Sequence, residues 1–178
     1  MTVDHQASVT MFSGDDLERH ISDFGALLHA CVHHGASIGF ILPFSERDAE
    51  AFWREKVLPA VYRGGRLLLV AEAGGRIAGS VQLDIDTPPN QPHRAEVSKL
   101  MVHPDCRRLG LARRLMAELE RLAGEKNRSL ITLDTRTGDS AEPLYGSMGY
   151  QTAGIIPCYC RDTVEDRLDS TTIMYKNL

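Results

Sequence analysis

The segment Val102-His103-Pro104-Asp105-Cys106-Arg107-Arg108-Leu109-Gly110-Leu111-Ala112-Arg113-Arg114-Leu115 constrains this chain most. It joins a strand, Arg94 to Val102, to an amphipathic helix. That helix starts near Gly110, runs to about Gly124 and puts Leu111, Leu115, Leu119 and Leu122 on one face. A strand that feeds a helix through a short loop belongs to a sheet with helices laid over it. The start of such a helix leaves backbone N–H groups unpaired, and with the helix dipole they attract an anion. Small residues at Gly110 and Ala112 let a phosphate approach the backbone. Arg107, Arg108 and Arg113 add charge and forked donors. The pattern therefore points to a diphosphate, although a basic helix start on a solvated face has the same sequence. The two common phosphate-loop patterns, G-x-x-x-x-G-K-[ST] and G-x-G-x-x-G, are absent.

The rest of the chain supplies the sheet and its cover. Residues 7–12 can open the fold as a strand. Leu17, Ile21, Phe24, Leu27, Leu28 and Val32 recur at helical spacing and predict one helix over 15–33. A second helix is predicted over 46–62, with Ser45 as its N-cap. Residues 66–73 and 76–86 read as an antiparallel hairpin turning at Gly74-Gly75. A proline-rich loop follows at 87–92, then a buried strand at 130–135, a short helix at 141–148, and strands at 150–160 and 170–175. This order, β-α-α-β-β-β-α-β-α-β-β, predicts an α/β (α+β) fold. Its centre is a mixed, mostly antiparallel sheet of about seven strands, flanked by about four helices.

Composition narrows the setting. A chain of 178 residues buries roughly 70% of its surface on folding, enough for one domain over 1–178 without disulfides or a structural metal. The net charge of −4 argues against a nucleic-acid partner despite the arginines at 107–114. No stretch approaches the roughly 20 apolar residues of a membrane span, and Met1 to Gln6 lack the features of a secretory leader. Cys31, Cys106, Cys158 and Cys160 form no C-x-x-C pair and read as reduced thiols in a cytoplasmic protein. His29 and His33 have metal-ligand spacing but no third ligand, so no metal is expected. The charged run from Arg161 to Asp169 reads as a solvated hairpin loop.

Two motifs carry a resemblance. Arg107-x-x-Gly110-x-Ala112 after a Val-x-Pro strand end resembles the acetyl-CoA-binding signature of the GNAT superfamily of N-acetyltransferases. Ala141-x-x-x-Tyr145-x-x-x-Gly149-Tyr150 resembles a later pattern of that family, with Tyr150 in place of phenylalanine. The element order matches the family's fold over nearly the whole chain. Gly35-Ala36-Ser37-Ile38-Gly39-Phe40, Arg94-Ala95-Glu96-Val97 with Lys99-Leu100-Met101-Val102, Leu133-Asp134-Thr135, Pro157 with Tyr159-Cys160, and Arg167-Leu168 resemble the tabtoxin-resistance branch, whose members acetylate an amino-acid toxin.

The resemblance implies acetyl-CoA as co-substrate. It would be held by Leu100, Met101 and Val102, by the loop Arg107, Arg108, Leu109 and Gly110, and by the helix start Leu111, Ala112 and Arg113. An asparagine common in the family is replaced by Gly138, so Asp139 or Ser140 is expected to supply that contact. The reaction needs a neutral amine, a donor for the developing oxyanion and a proton for the leaving thiolate. Glu96 is the expected base, acting through a water; a surface carboxylate paired with Arg94 or Lys99 has the same sequence. Asp134, at the end of a buried strand, is expected to orient the amine or share base duty; a turn hydrogen bond near Thr135 or Thr137 is the other reading. Tyr145 is implied as general acid, and otherwise reads as a core tyrosine. Main-chain N–H groups at Leu100 to Val102 are implied oxyanion donors. Gly35 to Phe40 would wall the amine site, and Tyr159 and Arg161 would touch a substrate carboxylate. The acceptor is expected to be a small primary amine, an amino-acid-like toxin or antibiotic among the candidates, and a homodimer is implied. A peptide acetyltransferase and a non-catalytic acyl-CoA sensor are the alternatives.

Overall fold

The computed structural model describes residues 7–178. The reading of Met1 to Gln6 lies outside the described residues. Seven strands form one sheet: β1 (Ser8–Phe12), β2 (Arg66–Ala73), β3 (Arg76–Asp84), β4 (Arg94–Val102), β5 (Leu130–Arg136), β6 (Gln151–Arg161) and β7 (Leu168–Asn177). Their spatial order is β1-β2-β3-β4-β5-β7-β6. Only β4 and β5 run parallel; the other neighbours are antiparallel. The expected class, sheet and element order are all present.

Helices cover both faces. On one side lie α1 (Gly14–Arg19), α2 (Ile21–His33), α3 (Glu46–Phe52) and α4 (Leu58–Tyr62); on the other lie α5 (Leu111–Glu125) and α6 (Ala141–Ser147). The apolar run in β2 is buried on both faces. Leu67, Leu69 and Ala71 join the α5 core, while Leu68 and Val70 join the core of α1 to α4. Trp53, wholly buried with its ring 4.6 Å from that of Phe24, anchors the second core. Along α5, Leu111, Leu115, Leu119 and Leu122 face the sheet as their spacing requires.

The structure has six α-helical segments where about four helices were expected, for two local reasons. The helix predicted over 15–33 divides at His20. Its ring Nδ1 lies 2.8 Å from the Asp16 carbonyl, taking the place of its own backbone N–H, which donates to Leu17 instead. The helix over 46–62 is continuous but widens into a π turn at Trp53–Val57, so the Leu58 N–H donates to the Trp53 carbonyl. Pro59 explains the widening: it has no N–H to donate, and its ring would crowd the carbonyl four residues back. Ser13 and Ser45 both close capping boxes, with Asp16 and Asp48 at the third position.

The feature that makes a site is the short contact between β4 and β5. They pair over Arg94↔Leu130, Ala95↔Ile131 and Glu96↔Thr132, and then diverge. Beyond Glu96, β4 stays with β3 while β5 stays with β7. A bulge at Lys99-Leu100, between the pairs Gln82↔Ser98 and Ser80↔Met101, bends β4 away. Lys99 takes the left-handed φ of 53°. The edge of β4 that faces β5 is thereby freed.

Candidate active site

A cleft of about 990 Å³ opens where the two strands part. One wall is the free edge of β4, with Leu100, Met101 and Val102. Its far end is the loop that carries Arg107, Arg108 and Gly110, followed by Leu111, Ala112 and Arg113 from the first turn of α5. Gly110 sits at φ 75°, immediately before α5, and no side chain caps the first turn. The left-handed backbone is what requires glycine there; a Cβ would meet no atom within 4 Å. An uncapped first turn thus lines the cleft together with Arg107, Arg108 and Arg113, a combination suited to an anion. Arg113 is fixed by donating to Ser147 Oγ at 2.7 Å. Leu109 departs from expectation. Set between Arg108 and Gly110, both left-handed, its side chain is thrown outward, 63% exposed, and does not line the cleft.

β5 contributes Asp134 and α6 contributes Ser140 and Tyr145 to the same cleft. Asp134 is the first solvent-facing residue after the buried Ile131 and Leu133, and its Oδ2 accepts from Thr171 Oγ1 at 3.2 Å. Tyr145 is buried, its ring 5.7 Å from that of Tyr150. Burial, and then the charges of Asp134 and Asp139, push its phenol well above the ordinary value. The hydroxyl is thus held protonated as a donor.

Glu96 is not brought into this cleft. It lies on β4 before the strands part, its side chain 52% exposed, and its carboxylate accepts from Arg94 at 3.1 Å. The pairing with Arg94, the other reading of this carboxylate, is present. Tyr159 lines the cleft, whereas Arg161 does not and instead pairs with Asp166 at 3.1 Å. Of the expected wall Gly35 to Phe40, Gly35 to Gly39 line the cleft and Phe40 does not. The hairpin loop after β6 is less solvated than its charge suggests. Asp162 and Thr163 are buried there, and Thr163 accepts from the Leu42 N–H at 3.0 Å and donates to the Ala36 carbonyl at 3.0 Å.

Lys99 is a cleft residue to which the sequence reading assigned no site role. It lines the wall between Ser98 and Leu100. Its signal was a charge two places after Val97, at a position that strict alternation would bury. Desolvation lowers its pKa, the charge of Asp134 raises it and that of Arg66 lowers it again.

The sequence profile of the Acetyltransferase (GNAT) family matches residues 26–150, which include the cradle and most of the cleft. The chain belongs to this family. The GNAT chain is 32% identical over 115 residues to an N-acetyltransferase encoded in the hisH–hisA intergenic region of Azospirillum brasilense. That match covers 63% of this chain and 66% of the relative, just under two thirds of the relative's length. The GNAT fold is shared with a ribosomal-protein-alanine N-acetyltransferase of Brucella melitensis, at TM-score 0.76 and 22% identity over 96% of this chain and 99% of that one. It is also shared with a Salmonella typhimurium acetyltransferase solved with its cofactor acetyl-CoA, at TM-score 0.74 and 19% identity over 97% and 94% of the two chains. The family is one of acetyltransferases, and the cofactor in the Salmonella structure is acetyl-CoA. The GNAT cradle fits such a ligand: an uncapped helix start and arginines for its diphosphate, and a free strand edge beyond them for its amide-bearing arm.

Proposed function

We propose that this GNAT acetyltransferase moves the acetyl group of acetyl-CoA to the primary amine of a small molecule by direct attack, within one domain spanning residues 1–178. The observation that carries this reading is the continuity of one cleft, from the uncapped start of α5 to Asp134 and Tyr145. In it, main-chain amides at 110–113 and the arginines hold the diphosphate, with Ser140 beside them. Asp134 takes the proton from the acceptor ammonium and leaves a nucleophilic nitrogen. N–H groups on the free edge of β4, at Leu100 to Val102, donate to the carbonyl oxygen as it gains charge. Tyr145 gives its proton to the departing sulfur. Base duty goes to Asp134 rather than to Glu96, whose carboxylate is held by Arg94 outside the cleft.

The resemblance to the tabtoxin-resistance branch supports an amino-acid-like toxin or antibiotic as acceptor. The four free thiols suit the cytoplasm. A homodimer is supported by β6, whose residues Ile155, Ile156 and Tyr159 are 56%, 44% and 53% exposed at the edge of the sheet. Thiol release from acetyl-CoA tests the activity, using amino acids, polyamines, aminoglycosides and peptides as acceptors. Turnover with small amines supports the reading. Turnover with peptides alone would move the enzyme to the protein-modifying class, and coenzyme binding without turnover on any acceptor would make it a sensor.

A further inference from the structure

We infer that Lys99 is the residue that seats the carboxylate of an amino-acid-like acceptor in this cleft. The inference rests on the proposed acetyl transfer and assigns the group that selects its substrate.

Lys99 is a partly buried cation without a counter-ion. Its Nζ lies 5.7 Å from the ring centroid of Phe40 and 5.8 Å from that of Phe52. Among the described residues no carboxylate reaches it within 4.0 Å, and no hydrogen bond to it is present. Two aromatic faces attract an ammonium but offer it no acceptor. The charge of Asp134 favours the ammonium without a salt bridge to it, while Arg66 adds a second positive charge to the surroundings. A desolvated ammonium in that position is incomplete, and an anion supplied by a ligand completes it. The other arginines near this end of the cleft are already engaged: Arg136 with Asp139, Asp162 and Asp169, and Arg161 with Asp166.

The backbone holds Lys99 in this position against a cost. Its φ of 53° is left-handed, a conformation that strains a residue with a side chain and persists where the surroundings enforce it. Here the bulge enforces it and turns the side chain toward the loop between the helices. Gly39 closes over the ammonium from that loop; a Cβ there would stand 3.3 Å from Nζ. Lys99 thus faces the acceptor wall, and the diphosphate cradle lies at the other end of the cleft. With Asp134 close enough to act on it, the cleft presents a cation and an anion that do not neutralise each other. An amino acid offers the matching pair of charges in reverse.

The test compares L-glutamine, L-lysine, L-serine and glycylglycine with their carboxamides in the thiol-release assay. For the wild-type enzyme, kcat/KM for the preferred acid should exceed that for its amide by about ten- to a hundredfold, the range for losing a hydrogen bond to a charged partner. In Lys99→Met that ratio should collapse toward one, chiefly through KM for the acid. Equal rates on acid and amide in the wild type, or a ratio that survives in Lys99→Met, would overturn the inference. A second measurement needs no stable Met variant: the 13Cε resonance of Lys99 in the wild type, assigned with Lys99→Gln, should move on titration with L-glutamine and stay still with L-glutaminamide. A resonance unmoved by the acids refutes the carboxylate seat even if acetyl transfer proceeds. A resonance that moves while no acceptor is acetylated upholds the seat and refutes the transfer reading.

Discussion

In the proposed transfer Tyr145 gives a proton and Asp134 takes one. Burial and the two nearby carboxylates raise the Tyr145 phenol, so it stays a proton donor through neutral and mildly alkaline pH. Tyr145→Phe removes only the donor and should lower kcat by about 10²-fold or more, the usual worth of a positioned acid, with KM for acetyl-CoA nearly unchanged. Steady-state kinetics at saturating acceptor read this directly. Asp134→Asn should reduce kcat far more than Glu96→Gln does, because only Asp134 lines the cleft. The same pair of variants, assayed side by side, separates the two carboxylates, and a larger effect at Glu96 would return base duty to it through a water. The sequence pointed to Glu96 through its strand, which precedes the phosphate loop, and through its apolar neighbours Ala95 and Val97; it pointed to Asp134 through the apolar stretch Leu130 to Leu133. It could not separate them, since the point where β4 leaves β5 is a property of strand pairing and not of either strand alone.

At the scale of elements, the strand–loop–helix unit from β4 to α5 was legible almost to the residue. Its leucines repeat at 3.6-residue spacing and its breaks fall at His103-Pro104 and Gly110, so local physics settles it. Lys99 and the division at His20 were not legible. The first depends on a bulge set by pairing with β3, and the second on a ring nitrogen that competes for one carbonyl. Gly110→Ala tests the cradle at this scale. Forcing a side chain into φ 75° should cost about 1–2 kcal/mol of stability in denaturant unfolding. It should also weaken acetyl-CoA binding severalfold in calorimetry, because relaxation of the strained turn moves the first N–H groups of α5. Loss of stability with binding intact would mean that those amides do not grip the ligand.

Across the whole molecule, the two ends of the pH range act on different parts of the fold. Cys31, a buried residue of α2 at the cleft wall, has its thiol raised to about 11 by desolvation, against an ordinary 9.0. A group raised in the folded state keeps its full contribution below the unfolded value and loses it as pH climbs to the folded one. Stability should therefore decline between pH 9 and 11, and Cys31→Ala should flatten that decline in urea titrations. Asp162 behaves in the opposite sense. N–H groups of Glu165 and Val164, and then Asp169 and Arg167, hold it down to about 2, from 3.8. Its contribution is present above pH 3.8 and fades as pH falls toward 2. The stability difference between wild type and Asp162→Asn should shrink over that interval. Because the Asp162 loop touches the loop that walls the cleft through Thr163, Ala36 and Leu42, acid should loosen the acceptor end before the α5 end. This long-range clasp was hidden in the sequence, where the charged run resembled an ordinary solvated turn.

The central claim is that the parting of β4 and β5 forms one continuous seat for acetyl-CoA. A crystal structure of the complex tests it most directly. The account predicts the diphosphate on the main-chain amides of residues 110–113, the thioester against the free edge of β4, and the Tyr145 hydroxyl within about 3.5 Å of the sulfur. A coenzyme bound elsewhere, or one seated on α5 with its sulfur turned away from Tyr145, would contradict it.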